Sequence, residues 1–357
     1  MKKTLLERKA NNLGLTRPEL AVLIAYTKMY LKQDILASKV PEDPYFVKYL
    51  TQAFPALLHK KYLTQMKQHR LSRDIIATQL AKSITDHMGI NFIDRLQRET
   101  GASVEFIIRS FVIAEELYGL NAIWRQIEEL DWKIKPSVQH KMMLQIYYLI
   151  RRATRWFLRN SKSDIQIEKT VANFKKPLHE LIKKLPTLLT ETEKELLEAN
   201  VKEYLEIGIP EQLARKIASC DPLFTSLDIV QASIKHNFDI CDVAKIYYML
   251  DSRLEFNWLR VQMNAYSTEN QWDELARSAF RDDLDRVQKK LSVSVLKVRL
   301  KKTNGQTISE YIDCWLRHNK HLVDRWENLL AEIKSSPNVA FVTYSVVLRE
   351  LFDFAQA

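Results

Sequence analysis

The chain has 357 residues, 46% hydrophobic, with only 6 glycines. It can therefore bury a substantial core in one large or two smaller domains, but it lacks the glycines that tight turns of sheets and phosphate-cradling loops require. The net charge of +10 is uneven: residues 1–185 hold 32 Lys and Arg against 18 Asp and Glu, and residues 186–357 hold 22 against 26. The 3 cysteines, Cys220, Cys241 and Cys314, are odd in number and far apart, which excludes a disulfide framework and fits thiols in a reducing cytoplasm.

In chain order, the opening MKKTLLERKANN is too polar for a secretory signal. No apolar run reaches the ~18 residues of a membrane span anywhere in the chain. Thr16, Pro18 and Glu19 spell a capping box with proline in the first turn, so a helix is predicted from Thr16 to about Lys39. A Val40–Pro44 loop follows, with Asp43 as the cap of the next element. Leu71, Ile75, Ile76, Leu80, Ile84 and Met88 share one face of a helix over 71–88. Gly89 and Gly101 stand where helices should stop in the left-handed conformation. Phe106, Ile107, Phe111, Ile113 and Ala114 make an apolar face over 104–117. A long helix is predicted over 137–160, its last turns carrying Arg151, Arg152, Arg155 and Arg159 where cations suit the dipole.

Asn160–Asp164, NSKSD, is the best linker candidate. Further capping boxes are expected at Thr190 with Glu193, Thr268 with Gln271, and Thr307 with Glu310. Two long helices, about 271–302 and 307–334, should form an antiparallel pair about the Thr303–Gln306 turn. Pro337 separates them from a final helix ending near Phe354. The expected fold class is all-α, multi-helical, with roughly fifteen helices by periodicity and no internal repeat.

Several constellations could carry chemistry. Cys314, His318 and His321 fall at i, i+4 and i+7, half of a metal site, whereas an amphipathic helix with Cys314 inward explains the same spacing; no metal is assigned. His69, Arg70, Arg73 and Asp74 fit either an anchor for a neighbouring domain or an ordinary helix start. Arg151, Arg152, Arg155 and Trp156 admit phosphate and base contacts, but an inward Trp156 rimmed by snorkelling arginines accounts for them better. The seven tryptophans (124, 132, 156, 258, 272, 315, 326) read as core or interface anchors. Glu115–Glu116 and Glu128–Glu129 are adjacent in sequence, point apart on a helix, and make no general acid/base pair. The six glycines never approach GxGxxG or GxxxxGK[ST] spacing, so no nucleotide site is read here. No catalytic, cofactor-binding or metal-ligating residue is assigned. Nucleic-acid binding is disfavoured, because the excess charge is spread over many helices.

The order of these motifs resembles a known family. The stretch Leu13–Asp43, LGLTRPELAVLIAYTKMYLKQDILASKVPED, is similar to the segment just after the catalytic core of the large-subunit bacterial NAD-specific glutamate dehydrogenases. The likeness runs on through PEDPYFVKYLTQAFP, HRLSRDIIATQLAKSITDHMGINFIDRLQRETGAS, IWRQIEELD and RRATRWFLR. After about Ser161 it thins to helical character and WDELARSAFRDDLDRVQKKL.

The resemblance implies a parent enzyme that converts L-glutamate, NAD and water to 2-oxoglutarate, ammonium and NADH. NAD and catalysis would lie upstream, with no cofactor in this stretch, and the parent would be a homo-oligomer of the cytoplasm. Residues 1–160 would dock the catalytic domain and residues 161–357 would form a helical C-terminal region. The chain itself would be a non-catalytic scaffold, interface or regulatory body. The competing readings are a free-standing basic nucleic-acid-binding protein and a helical protein–protein adaptor.

Overall fold

The computed structural model describes residues 2–266, 271–301, 307–336, 339 and 341–355. Among these residues the regular structure is entirely helical, nineteen α-helices and three short 3₁₀ helices, with no strand. The all-α expectation holds. The excess over fifteen helices comes from pieces such as Val47–Gln52 and Glu211–Ala218, of 6 and 8 residues, too short for periodicity to register. The chain divides into two compact units, one of Met1–Asn121 with Ile146–Val171, the other of Ala122–Gln145 with Ala172–Ala357.

The first unit begins with α1 (Lys2–Ala10) and α2 (Arg17–Ala37). The Thr16 capping box forms as predicted: the Glu19 carboxylate accepts from the Thr16 N–H at 2.8 Å, and the Glu19 N–H donates to Thr16 Oγ1 at 3.4 Å. Two 3₁₀ turns follow, Val40–Glu42 and Pro44–Phe46, and Asp43 caps the second by accepting from the Tyr45 N–H at 2.9 Å. Next come α3 (Val47–Gln52), α4 (Ala56–Lys67), α5 (Ser72–Met88), α6 (Phe92–Thr100) and α7 (Val104–Tyr118).

In α5 the predicted face is buried at Ile76, Leu80, Ile84 and Met88, but Leu71 is not part of it; it precedes the helix and stays exposed. Gly101 adopts the left-handed conformation that stops α6. Gly89 differs: φ is +76° but ψ is 166°, an extended mirror-image geometry rather than αL. The helix α7 buries every residue from Phe106 to Leu117 except Arg109 and Glu116, well beyond the predicted stripe. α2 and α3 pack on α5, and α6 packs on α7.

Three helices cross the division of the chain. α8 (Leu120–Glu128) starts in the first unit, and α9 (Pro136–Asn160) ends in it. After a short turn over 161–166, the third, α10 (Ile167–Leu188), begins in the first unit and runs into the second.

The second unit continues with α11 (Glu191–Glu206), α12 (Glu211–Ala218), a 3₁₀ turn at Pro222–Thr225, α13 (Ser226–His236), α14 (Ile240–Leu254), α15 (Phe256–Ala265) and α16 (Gln271–Lys301). Thr190 and Thr307 form their capping boxes with Glu193 and Glu310. The expected box at Thr268 and the Thr303–Gln306 turn lie outside the described residues.

α16 is the organising element of this unit, packing against α13, α14, α15, α17 (Ile308–His318) and α19 (Phe341–Phe354). Its inner ridge, Phe280, Leu284, Val287, Leu291 and Val295, repeats at three- and four-residue spacing and is almost wholly buried. The predicted second long helix is in fact two, α17 and α18 (Lys320–Ser335), so the chain does not close on one long antiparallel pair. Asn319 makes the break: at φ −103° and ψ 24° it leaves the helix, and both its N–H and its side-chain amide donate to the Trp315 carbonyl.

Candidate functional site

The least satisfied surface of the first unit is the outer side of α2. Its inner side is well held. Leu31 and Ile35 are buried, Lys28 pairs with Asp86, Lys32 pairs with Asp74 at 2.9 Å, and Arg73 donates to the Leu36 carbonyl at 2.9 Å while pairing with Glu42 at 2.7 Å. The His69 cluster thus becomes part of this clamp. Arg73 ties the end of α2 to the start of α5, and His69 Nδ1 accepts from the Leu71 N–H at 3.1 Å.

The outer side is different. Between Leu20 and Tyr30 every exposed residue is apolar or aromatic: Leu20, Ala21, Ala25, Tyr26, Met29 and Tyr30. Met29 is 57% and Tyr30 68% exposed, and no residue of α2 before Leu31 is buried. An apolar patch of this continuity, on a helix capped and clamped into place, marks an interaction surface.

Beside the 3₁₀ turns lies an open polar cleft of about 620 Å³, lined in part by Lys39, Asp43, Tyr45, Arg109 and Glu168. Arg109 pairs with Asp43 at 2.5 Å and Glu105 at 3.2 Å. Behind it, Lys48 Nζ lies 3.3 Å from the Tyr45 hydroxyl and 3.7 Å from Glu116, and the Tyr49 hydroxyl donates to Glu115 at 3.2 Å. Burial pushes the Glu115 carboxyl upward, opposed by Lys48 and the Tyr49 hydrogen bond, and burial likewise raises the Tyr45 and Tyr49 phenols. The two glutamates face different tyrosines, as adjacent residues on a helix must. In the cleft wall Arg109 is neutralised by two carboxylates, and Glu42 by Arg73.

The arginines of α9 do something the sequence did not suggest. Arg151 and Arg155 do not snorkel; they reach the buried carboxylate of Glu99, Arg151 at 2.5 Å, and Arg95 joins them at 2.9 Å. Burial would raise the Glu99 carboxyl, but the surrounding guanidinium groups outweigh it and hold it below the usual range. Trp156 is half-buried, edge-on to the buried Phe157 at 5.1 Å. Spacing could not reveal Glu99 as the partner, because it lies more than fifty residues upstream in sequence.

A second buried network sits in the other unit. Arg260 on α15 reaches Asp251 at 2.6 Å on α14 and Asp285 at 3.0 Å on α16, and also bonds Gln288. Gln288 in turn donates to the Tyr247 carbonyl at 3.2 Å. Burial opposes the Arg260 charge, but the two aspartates more than compensate and raise its pKa further. Nearby, Lys289 pairs with Asp228 at 3.0 Å. These are helix-to-helix ties.

The remaining candidates separate. The break at Asn319 puts His318 at the end of α17 and His321 on α18, so the i, i+4, i+7 register of Cys314, His318 and His321 does not survive. Among the described residues no group of three or more His, Cys, Asp and Glu side chains could hold a metal. Glu128 and Glu129 are both exposed. Of the tryptophans, Trp124, Trp315 and Trp326 are buried anchors, whereas Trp132 and Trp272 stand almost fully exposed.

The fit of a dinucleotide can be tested on the glycines. A Cβ built on Gly14, Gly89, Gly101, Gly119 or Gly208 meets nothing within 4 Å. None of them serves the close helix–strand approach of a dinucleotide turn, and the described residues hold no strand to lead into one. Nor is any helix among the described residues long and apolar enough to cross a membrane.

Comparison with known proteins completes the picture. Residues 12–353 match the family described as glutamate dehydrogenase, C-terminal. The chain is 39% identical over 353 residues to an NAD-specific glutamate dehydrogenase of Pseudomonas aeruginosa and 37% identical over 353 residues to one of Halomonas elongata, in each case 99% of this chain and 22% of the relative. It is 27% identical over 349 residues to the NAD-specific glutamate dehydrogenase of Mycobacterium tuberculosis, 98% of this chain and 21% of that protein. The chain thus spans about a fifth of the length of these relatives. An all-helical body of this sequence, matched almost end to end, belongs to the family of glutamate dehydrogenase C-terminal regions.

Proposed function

We propose that this chain is the non-catalytic helical body of an NAD-specific glutamate dehydrogenase, and that the outer side of α2 seats the catalytic part of the same polypeptide. The whole enzyme would convert L-glutamate, NAD and water to 2-oxoglutarate, ammonium and NADH in the cytoplasm, as a homo-oligomer. The observation that carries the reading is the exposed apolar surface of Leu20, Ala21, Ala25, Tyr26, Met29 and Tyr30 in a chain that spans 22% of its relatives. Burying it would remove two large aromatic side chains and a methionine from water, at about 25 cal/mol per Å² of apolar area. The buried carboxylates of Glu99, Asp251 and Asp285 are engaged by arginines in ties between helices. A dehydrogenase cleft, which must align a substrate carbon with the nicotinamide and exclude water, would therefore be built elsewhere in the polypeptide.

The test is the double substitution M29K/Y30E in the full-length enzyme. The expected result is a loss of glutamate-dependent NAD reduction, with protease cleavage releasing the helical body. The same substitutions should leave the melting temperature of the isolated 357-residue chain unchanged. Full activity and unchanged protease resistance would refute the assignment, as would dehydrogenase activity in the isolated chain.

A further inference from the structure

The acid-free segment of the first unit has a counterpart on the second unit. From Pro44 to Arg73 the chain carries six Lys and Arg and no Asp or Glu. At the centre of this run is α4, of whose residues only Met66 is buried. Lys60, Lys61 and Lys67 are exposed, as are the apolar side chains of Leu57, Tyr62 and Leu63, with Leu57 at 94%. Lys61 lies over the Tyr62 ring at 5.2 Å, and among the described residues Lys60, Lys67 and Arg70 have no acidic partner. A short helix that is both cationic and apolar on its open side, packed chiefly on α3, is suited to an acidic protein surface that also offers apolar contacts.

Such a surface is present on the chain itself. From Thr190 to Glu211 there are seven glutamates and two lysines. In α11, Glu191, Glu195, Glu198, Glu203 and Glu206 are exposed, and among them Leu196 stands 63% and Leu205 42% exposed, with Ile207 just beyond. Most of this charge is met locally, by Arg215 on Glu198 and Glu211 at 3.0 Å, Lys141 on Glu203 at 2.8 Å, Lys194 on Glu191 at 3.6 Å and Lys202 on Glu206 at 4.0 Å, in open ion pairs that bind weakly and exchange readily. Glu195 has no basic partner among the described residues. Both helices expose the same two kinds of group, with opposite charge. Each is exposed in its own unit.

We propose that α4 of one copy docks on α11 of a second copy, a heterologous contact that joins the first unit of one chain to the second unit of another. The lysines meet the glutamates along the outward faces of the two helices, and the exposed apolar side chains, Leu57, Tyr62 and Leu63 on one and Leu196, Leu205 and Ile207 on the other, flank them. The partner is a second copy because its complement, in charge and in apolar content, is written on this chain. The contact is separate from the α2 surface and does not rest on it. Being heterologous, it closes into a ring or a reciprocal pair, or it propagates.

The experiment is sedimentation velocity of the 357-residue chain between ~1 and ~100 µM, a range that brackets micromolar affinity. The wild-type chain should associate, and more weakly as salt rises past the Debye screening of its exposed charges. K60E/K61E/K67E should weaken association at least tenfold, and so should E195K/E198K/E203K. Mixing the two reversed chains should restore it. All six positions are exposed, and circular dichroism checks that both variants stay helical. M29K/Y30E should associate like wild type. A monomer at every concentration, association untouched by either reversal, mixed reversals that do not recover, or loss of association in M29K/Y30E would each overturn the proposal. Only the last of these points to the α2 surface, so failure here is distinct from failure of the catalytic-docking assignment.

Discussion

α2 and α7 are both long, predominantly apolar helices of the same unit, yet they are used in opposite ways. From Phe106 to Leu117 α7 buries every residue but Arg109 and Glu116, Glu115 included, whereas α2 buries only Leu31 and Ile35 and leaves Tyr26, Met29 and Tyr30 to solvent. The contrast is not one of helix propensity or capping, since each has a hydroxyl N-cap, Ser103 and Thr16. The difference lies in neighbours. A helix that is apolar all round is enclosed within its own fold or awaits another surface, and the sequence is silent on which.

That contrast can be broken or sharpened by mutation, from the largest effect to the smallest. Phe111→Ala on α7 should cost about 3–5 kcal/mol in urea unfolding, the transfer and cavity terms of a fully buried aromatic ring. In the second unit, Arg260→Ala should cost a similar ~3–5 kcal/mol, because Asp251 and Asp285 would be left buried without their cation.

The two buried glutamates should then separate by pH. Glu99, whose carboxyl is held low in the fold, contributes stability that is present above its ordinary pKa and disappears as pH falls through the folded value. Glu99→Gln should therefore destabilise at pH 7, by ~3–5 kcal/mol for guanidinium groups losing their counter-ion, and progressively less as pH falls through the folded value. Glu115 has the opposite sign. Its raised carboxyl costs stability as pH rises from the ordinary value through the folded one, so Glu115→Gln should be neutral or stabilising at pH 7 in a melting experiment. Last, Thr16→Ala should cost about 1 kcal/mol, seen as faster amide exchange confined to the first turn of α2. Were Tyr30→Ala as damaging to the isolated chain as Phe111→Ala, the distinction between the two helices would fall.

Local chemistry was readable in advance where it is local in sequence. The boxes at Thr16, Thr190 and Thr307, the cap at Asp43 and the face of α5 needed no information beyond a turn or two. What could not be read was long-range. Glu99 receives Arg151 and Arg155 across more than fifty residues, and Arg260 gathers aspartates from two other helices, so no spacing rule finds them. The break at Asn319 escaped because apolar periodicity passes through it. A side-chain amide competing for the Trp315 carbonyl, not a glycine or proline, ends α17. The α2 surface was legible from periodicity only as an apolar helix; the family resemblance, not spacing, put it in the region expected to dock the catalytic domain.

The Arg260 cluster has a consequence for how the second unit comes apart. One guanidinium ties three consecutive helices, α14, α15 and α16, through carboxylates on the outer two. Lifting any one of them away strands a charge in a low-dielectric interior, a penalty larger than the fraying energy of a single helix. Partial opening is therefore disfavoured relative to complete opening. Amides in the middle turns of all three helices should exchange with solvent through one shared event, a single cooperative block rather than three helices melting in turn.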